Sequence, residues 1–188
     1  MTTRVHSFDP ISDAASRVLI LGSMPGKVSL CAEQYYAHPQ NAFWKILGAL
    51  LDFEPCAPYE TRIAQLREHG IALWDVVHSC VRETSLDSDI EEASIVANPF
   101  GDFLEHHPQI HTICFNGAKA EASWRRHVLA QLRQAHDIAY HRLPSTSPAN
   151  ASIRYVEKVE AWKAALATSD TRRARRTRSR APMARSRT

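Results

Sequence analysis

The first unbroken apolar run in the chain, Arg17-Val-Leu-Ile-Leu21, shows no polar alternation and predicts a strand buried on both faces. Gly22, Pro25 and Gly26 then turn the backbone into a loop. Beyond it, Phe43, Trp44, Ile46, Leu47, Leu50 and Leu51 recur at helical spacing, and Pro55 and Pro58 close the segment. Tyr59 to about Glu68 predicts a second helix ending at Gly70, and Ile71 to Val77 another buried strand. The polar stretch Arg82 to Asp89 reads as a loop. Asn98-Pro99 has the form of an N-cap followed by proline at the first helical position, and Pro108 ends that short helix before a strand at His111 to Phe115.

Gly117 turns the chain into a helix expected over Ala118 to Gln134, followed by a fourth strand at Ile138 to Leu143 and a loop at Pro144 to Pro148. In the last helix Ile153, Val156, Val159, Trp162 and Leu166 form one apolar stripe. Strands alternating with helices predict an α/β fold, a three-layer α/β/α sandwich on a four-stranded, mainly parallel central sheet. No internal repeat is visible.

Charge changes this picture at one end. Eight arginines lie between Arg172 and Arg187, so the formal charge of +3 divides into a +8 tail and a body that carries 15 basic against 20 acidic residues, about −5. One domain over 1–168 is therefore expected, with a basic, disordered tail over 169–188. The tail reads equally as a tether to polyanions such as DNA or as a solvated extension without a role of its own. Cys31, Cys56, Cys80 and Cys114 form no CxxC pair, which argues against a zinc or cluster site and for four reduced, mostly buried thiols. No secretory leader and no apolar run of membrane-spanning length is visible, so a cytoplasmic protein is expected.

Ligands of α/β proteins gather at the carboxyl ends of the strands. Those ends present Gly22 to Gly26, Asp75, Asn116 with Gly117, and Leu143 to Asn150. Taken singly, each has a plain reading: a tight GxxPG turn, a cap at Asn41 for the helix near Phe43, packing of Tyr36 on Phe43, a turn residue at Asn116. His38, His78, His106, His107 and His141 show no ligand spacing, and only His38 falls near the site, so no metal is expected. Neither GxGxxG nor a P-loop lysine follows the first strand, and Ser145 and Ser147 lack a GxSxG context.

In order and spacing, however, residues 15–167 resemble the uracil-DNA glycosylase superfamily. Gly22-Ser-Met-Pro-Gly26 is similar to its first motif, and Leu143-Pro-Ser-Thr-Ser-Pro148 to its second, the loop that clamps DNA. Tyr36-Ala-His-Pro-Gln-Asn-Ala-Phe-Trp44 resembles the corresponding segment of mismatch-specific uracil glycosylases. Two departures stand out. Met24 replaces the Asn or Asp that handles water in the first motif, and Leu143 replaces the His or Asn that stabilises the leaving base. The combination most resembles the hypoxanthine (deoxyinosine) DNA glycosylases, in which the Asn of Pro-Gln-Asn-x-Phe-Trp is the implied catalyst.

On that resemblance Asn41 positions the attacking water, Tyr36 stacks on an extruded base, and Asp75 and Asn116 read its edge. Gly22, Ser23 and Met24 shape the base pocket, while Pro25, Gly26, Lys27, Pro144, Ser145, Thr146, Ser147 and Asn150 face the DNA. Ser147 stands near the place where many uracil enzymes insert a leucine, so a wedge is missing or comes from elsewhere. The implied activity is that of a monofunctional DNA glycosylase acting on hypoxanthine, without cofactor, as a monomer. A mismatch-specific uracil glycosylase, and a catalytically silent nucleic-acid-binding module, are the alternatives.

Overall fold

The computed structural model describes residues 3–132 and 137–179, with side chains described as far as residue 167. The strands are β1 (Thr3–His6), β2 (Val18–Gly22), β3 (Ile71–Asp75), β4 (Val77–Arg82), β5 (Val96–Ala97), β6 (Thr112–Asn116) and β7 (Ala139–Leu143). The helices are α1 (Lys27–Ala32), α2 (Phe43–Leu51), α3 (Tyr59–Glu68), α4 (Phe100–His106), α5 (Ala118–His127) and α6 (Tyr155–Ser179). A wholly parallel four-stranded sheet, in the order β3-β2-β6-β7, lies between helical layers. Every residue of β2 and β3 is buried, as their continuous apolar sequence demands. Phe43 of α2 meets Trp162 of α6 edge to face at 5.8 Å, while Phe100 of α4 meets Trp124 of α5 at 4.8 Å.

Several elements depart from the sequence reading. Ile71 to Val77 is not one strand, because Val76 N–H and Val77 N–H donate to the carbonyls of Gly22 and Ser23 and carry the chain out of the parallel sheet. It enters a second, antiparallel sheet of order β1-β4-β5, in which Arg82 is a buried strand end and not the start of a loop. Asn98 does not cap α4; its side chain donates to the Asp75 carbonyl at 2.8 Å, and the helix starts after Pro99. The α-helix expected to reach Gln134 ends at His127, with the buried Val128 as its C-cap, still bonded to the Trp124 carbonyl, and a 3₁₀ turn follows at Leu129–Gln131. Residues 133–136 lie outside the described residues.

In α6 the buried stripe is Trp162 and Ala165, with Val159 and Leu166 packed beside it, whereas Val156 is 67% exposed and Ile153 precedes the helix. This helix continues to Ser179, across the boundary expected at 168/169; the run Arg172-Arg-Ala-Arg-Arg176 beyond it is composed of good helix formers. Residues 180–188 of the expected tail lie outside the described residues. Cys80 and Cys114 are buried but Cys31 and Cys56 are exposed, so two of the four thiols face solvent. Among the described residues no helix is long and apolar enough to cross a membrane.

Candidate active site

Parallel pairing sets Gly22 opposite Asp75 and Asn116 opposite Leu143, and Leu21 opposite Phe115 brings Asn116 level with Gly22. Asp75, Gly22, Asn116 and Leu143 therefore form a row across the carboxyl edge of the sheet, at strand spacings of about 4.8 Å. A cavity of about 720 Å³ opens on this row, a volume suited to a small organic ligand or one nucleotide base. Its lining includes every residue nominated from the sequence: Asn41, Tyr36, Asp75 and Asn116, the whole of Gly22 to Lys27, and Pro144 to Ser147 with Asn150.

Asn41 enters this cavity on a short turn before α2. Its backbone N–H donates to the His38 carbonyl at 2.8 Å, and its side-chain Oδ1 accepts the Phe43 N–H at 3.0 Å. Asn41 is therefore not the N-cap of α2, a place held by Ala42; its side chain closes an i to i+2 turn on Phe43, and that bond fixes the amide. An amide oxygen has two lone pairs, so one remains for a water O–H.

The second-motif loop is held from three sides. Asn116 donates through Nδ2 to Thr146 Oγ1 and accepts the Thr146 N–H at Oδ1, both at 2.9 Å. The Thr146 carbonyl in turn accepts the Ala42 N–H at 3.0 Å, which links this loop to the turn carrying Asn41. From behind, α6 supplies Trp162 Nε1 to the Pro144 carbonyl at 3.2 Å and Lys158 Nζ to the Asn150 carbonyl at 2.8 Å. Asn150 closes the loop on itself through the Ser145 carbonyl at 3.1 Å. Gly117, with φ +104, permits this close approach, since a Cβ there would stand 3.0 Å from Ser145 Cβ.

These bonds engage two of the residues nominated from the sequence. Asn116 spends one N–H and one lone pair on Thr146 and so positions the loop, while its second N–H lies on the Tyr36 side of the cavity. Thr146 is 1% exposed and its hydroxyl accepts from Asn116, whereas Ser145 and Ser147, on the same cavity wall, are half-buried. Ser147 carries no wedge, and the exposed apolar groups at that tip are Pro148 and Ala149.

The opposite wall is organised differently. Asp75 is buried, its Oδ2 has no hydrogen-bond partner, and its Oδ1 lies where a Cβ on Gly22 would be, 2.3 Å from that position. Only glycine fits beneath this carboxyl. Burial pushes the Asp75 pKa up to about 8, Asp87 adds to the rise and Arg82 opposes it. At neutral pH the group is therefore mainly a neutral acid, able both to donate and to accept. Tyr36 stacks on Phe43 at 3.9 Å, and its buried hydroxyl, with the Asn116 amide beside it, has no acceptor for its proton.

Other lining residues were not foreseen. Ser85, Leu86, Asp87 and Ser88 form one side of the mouth, tied to the first motif by Ser23 Oγ to Asp87 Oδ1 at 2.6 Å and Lys27 N–H to Ser85 Oγ at 2.9 Å. Arg82, 4% exposed, donates to the Pro25 carbonyl and holds the same motif from below. Their polar composition marks a loop, but nothing local shows that the loop folds back on Gly22 to Gly26. Met24 instead packs into a small apolar cluster with Val77, Cys80 and Ile90, consistent with its inability to handle water. Of the histidines, only His38 lines the cavity, and no cluster of three potential ligands exists among the described residues.

A family model described as the uracil DNA glycosylase superfamily matches residues 9–167. The chain belongs to the uracil DNA glycosylase superfamily. A hypoxanthine DNA glycosylase of Methanosarcina barkeri is 37% identical over 116 residues, and one of Methanosarcina acetivorans is 39% identical over the same length. Each alignment covers 61% of this chain and 72% of the relative. A solution NMR structure from Methanosarcina acetivorans, provisionally assigned as a uracil DNA glycosylase, superposes with a TM-score of 0.74 at 31% identity, covering 89% of this chain and 99% of that one. As a member of this superfamily the protein is a DNA glycosylase, and the row of strand ends described above is its candidate active site.

Proposed function

We propose that this glycosylase excises hypoxanthine from DNA by water attack at the deoxyribose carbon, leaving an abasic site, with Asn41 positioning the water. The observation that carries this reading is the meeting, in one cavity, of a pinned amide at Asn41 with a buried carboxyl at Asp75. Departure of a base develops an oxocarbenium-like sugar that is electrophilic enough to need an oriented water more than a deprotonated one. Oδ1 of Asn41, held by the Phe43 N–H, supplies that orientation. Asp75 pairs with the adjacent N1–H and C6 carbonyl of hypoxanthine, its carbonyl oxygen accepting and its hydroxyl donating. The names of the two Methanosarcina relatives support the choice of base. Ser145 and Ser147 hold the backbone beside the lesion.

The test is a set of duplexes carrying a single inosine, uracil or xanthine, followed by alkaline cleavage at abasic sites. Breaks at inosine are expected. Breaks at uracil but never at inosine would move the protein to the mismatch-specific uracil enzymes, and binding without cleavage would make it a silent module. Asn41→Ala should lower single-turnover excision by about 10²-fold or more, as removal of a positioning group does.

A further inference from the structure

We infer that the Tyr36 hydroxyl is a specificity-determining and catalytic donor, giving its proton in a hydrogen bond to the lactam carbonyl of the extruded base. This inference rests on the glycosylase reading above. Superfamily resemblance assigns Tyr36 only a stacking face, and the structure shows that one face is already occupied by Phe43. What the base pocket receives in addition is an oxygen that a phenylalanine would lack.

Three observations support the assignment. First, the hydroxyl is shut off from water, and the Asn116 amide beside it donates towards its oxygen and leaves the O–H proton without an acceptor; a buried donor left unpaired is costly and calls for a ligand. Second, the hydroxyl and Asp75 Oδ1 converge on a single point, lying 3.0 and 2.3 Å from the position that a Cβ on Gly22 would take. A base edge that brings N1–H to Asp75 therefore carries its neighbouring carbonyl towards Tyr36. Third, the backbone is held in an unusual conformation to put the ring there. Glu33, Tyr36 and Asp52 are the non-glycine residues with positive φ among those described. Glu33 and Asp52 end helices α1 and α2, whereas Tyr36, with φ +56, ends nothing. Left-handed geometry is unfavourable for a bulky residue. It persists because the neighbouring N–H groups are taken up by side chains, Tyr35 N–H by Tyr59 Oη at 2.9 Å and Ala37 N–H by Ser29 Oγ at 3.2 Å.

The chemistry explains why such a donor is useful. When the glycosidic bond breaks, its electron pair goes to the base, and part of that charge reaches the lactam oxygen. Leu143 stands where the superfamily places its leaving-group electrophile and cannot stabilise that charge, so the second lone pair of the carbonyl, beside the one that accepts from the Asp75 hydroxyl, is left for Tyr36. A donor at the carbonyl strengthens as the charge develops, so it acts on the transition state more than on binding. Burial, and next the nearby Asp75, push the Tyr36 pKa up, so the proton stays on the hydroxyl throughout the working range.

Tyr36→Phe tests this directly, because the ring and its stacking on Phe43 remain. Single-turnover excision of inosine should fall about 10–100-fold, the scale seen when one transition-state donor is removed. Affinity for a duplex carrying a tetrahydrofuran abasic analogue, which has no base, should stay within about 2-fold of wild type. Excision within about 2-fold of wild type would overturn the inference, since stacking alone would then suffice. A parallel loss of tetrahydrofuran affinity would overturn it too, by showing that the hydroxyl supports the fold of the pocket. Failure of the wild-type protein to cut inosine would instead refute the choice of substrate.

Discussion

On the β6–β7 side of the cavity Asn116, Thr146 and Asn150 are bonded to neighbouring segments, whereas on the β2–β3 side Asp75 Oδ2 has no protein partner and the Tyr36 O–H has no acceptor for its proton. Both walls rise from the same row of strand ends, and each includes a buried polar residue, Thr146 on one and Asp75 on the other. The difference is one of task. Satisfied polar groups hold loops in register, and unsatisfied ones, costly in a folded protein, remain where a ligand completes them. Asn41 stands at the seam, with one lone pair bonded to Phe43 and one available.

The most severe way to break this contrast is Gly22→Ala. Its Cβ would stand 2.3 Å from Asp75 Oδ1, so the carboxyl must swing away. A shift of about 1 Å at a reacting group costs on the order of 10²-fold, and inosine excision should fall by at least that much. Retained activity would show that Asp75 is not held against Gly22 during the reaction.

Asn116→Ala attacks the other wall, leaving the buried Thr146 N–H without an acceptor. A loss of about 1–3 kcal/mol in urea unfolding is expected. A variant with normal stability but lost excision would return Asn116 to the role of base reader.

Asp75→Asn sharpens the comparison through pH. The folded-state pKa of Asp75, about 8, lies above its ordinary value of 3.8, so the native state binds the extra proton between those limits. Wild-type stability should therefore decline, relative to Asp75→Asn, as pH rises from about 4 to about 8, and level off above. Thermal unfolding at pH 5 and pH 9 measures the change; parallel curves would place the carboxyl in a solvated setting.

Removing residues 172–188, which belong to neither wall, should have the smallest effect. If the arginines tether DNA, the slope of log affinity against log salt flattens while excision at low salt is unchanged. An unaltered slope would make the tail a solvated extension.

The boundaries of α2 and α3 and the positions of β2 and β6 were legible within a residue, because glycine and proline punctuate them and their apolar patterns are complete. The antiparallel sheet was not, since Thr3–His6 is short and mostly exposed, and β4 continues an apolar run without punctuation. All the nominated site residues were found around one cavity because they sit at strand ends, which parallel pairing must align. The bonds between Asn116 and Thr146 were not legible, because an amide looks the same in sequence whether it faces a ligand or a neighbouring loop.

By itself, then, the sequence determined which residues occupy the carboxyl edge: uninterrupted apolar runs bury strands, and Gly22, Asp75, Asn116 and Leu143 terminate them. Only the tertiary structure decided which of those polar groups have partners. Hydrogen bonds across 30 residues from Asn116 to Thr146, and across 64 from Ser23 to Asp87, depend on how loops meet in space. Local composition carries no record of that meeting.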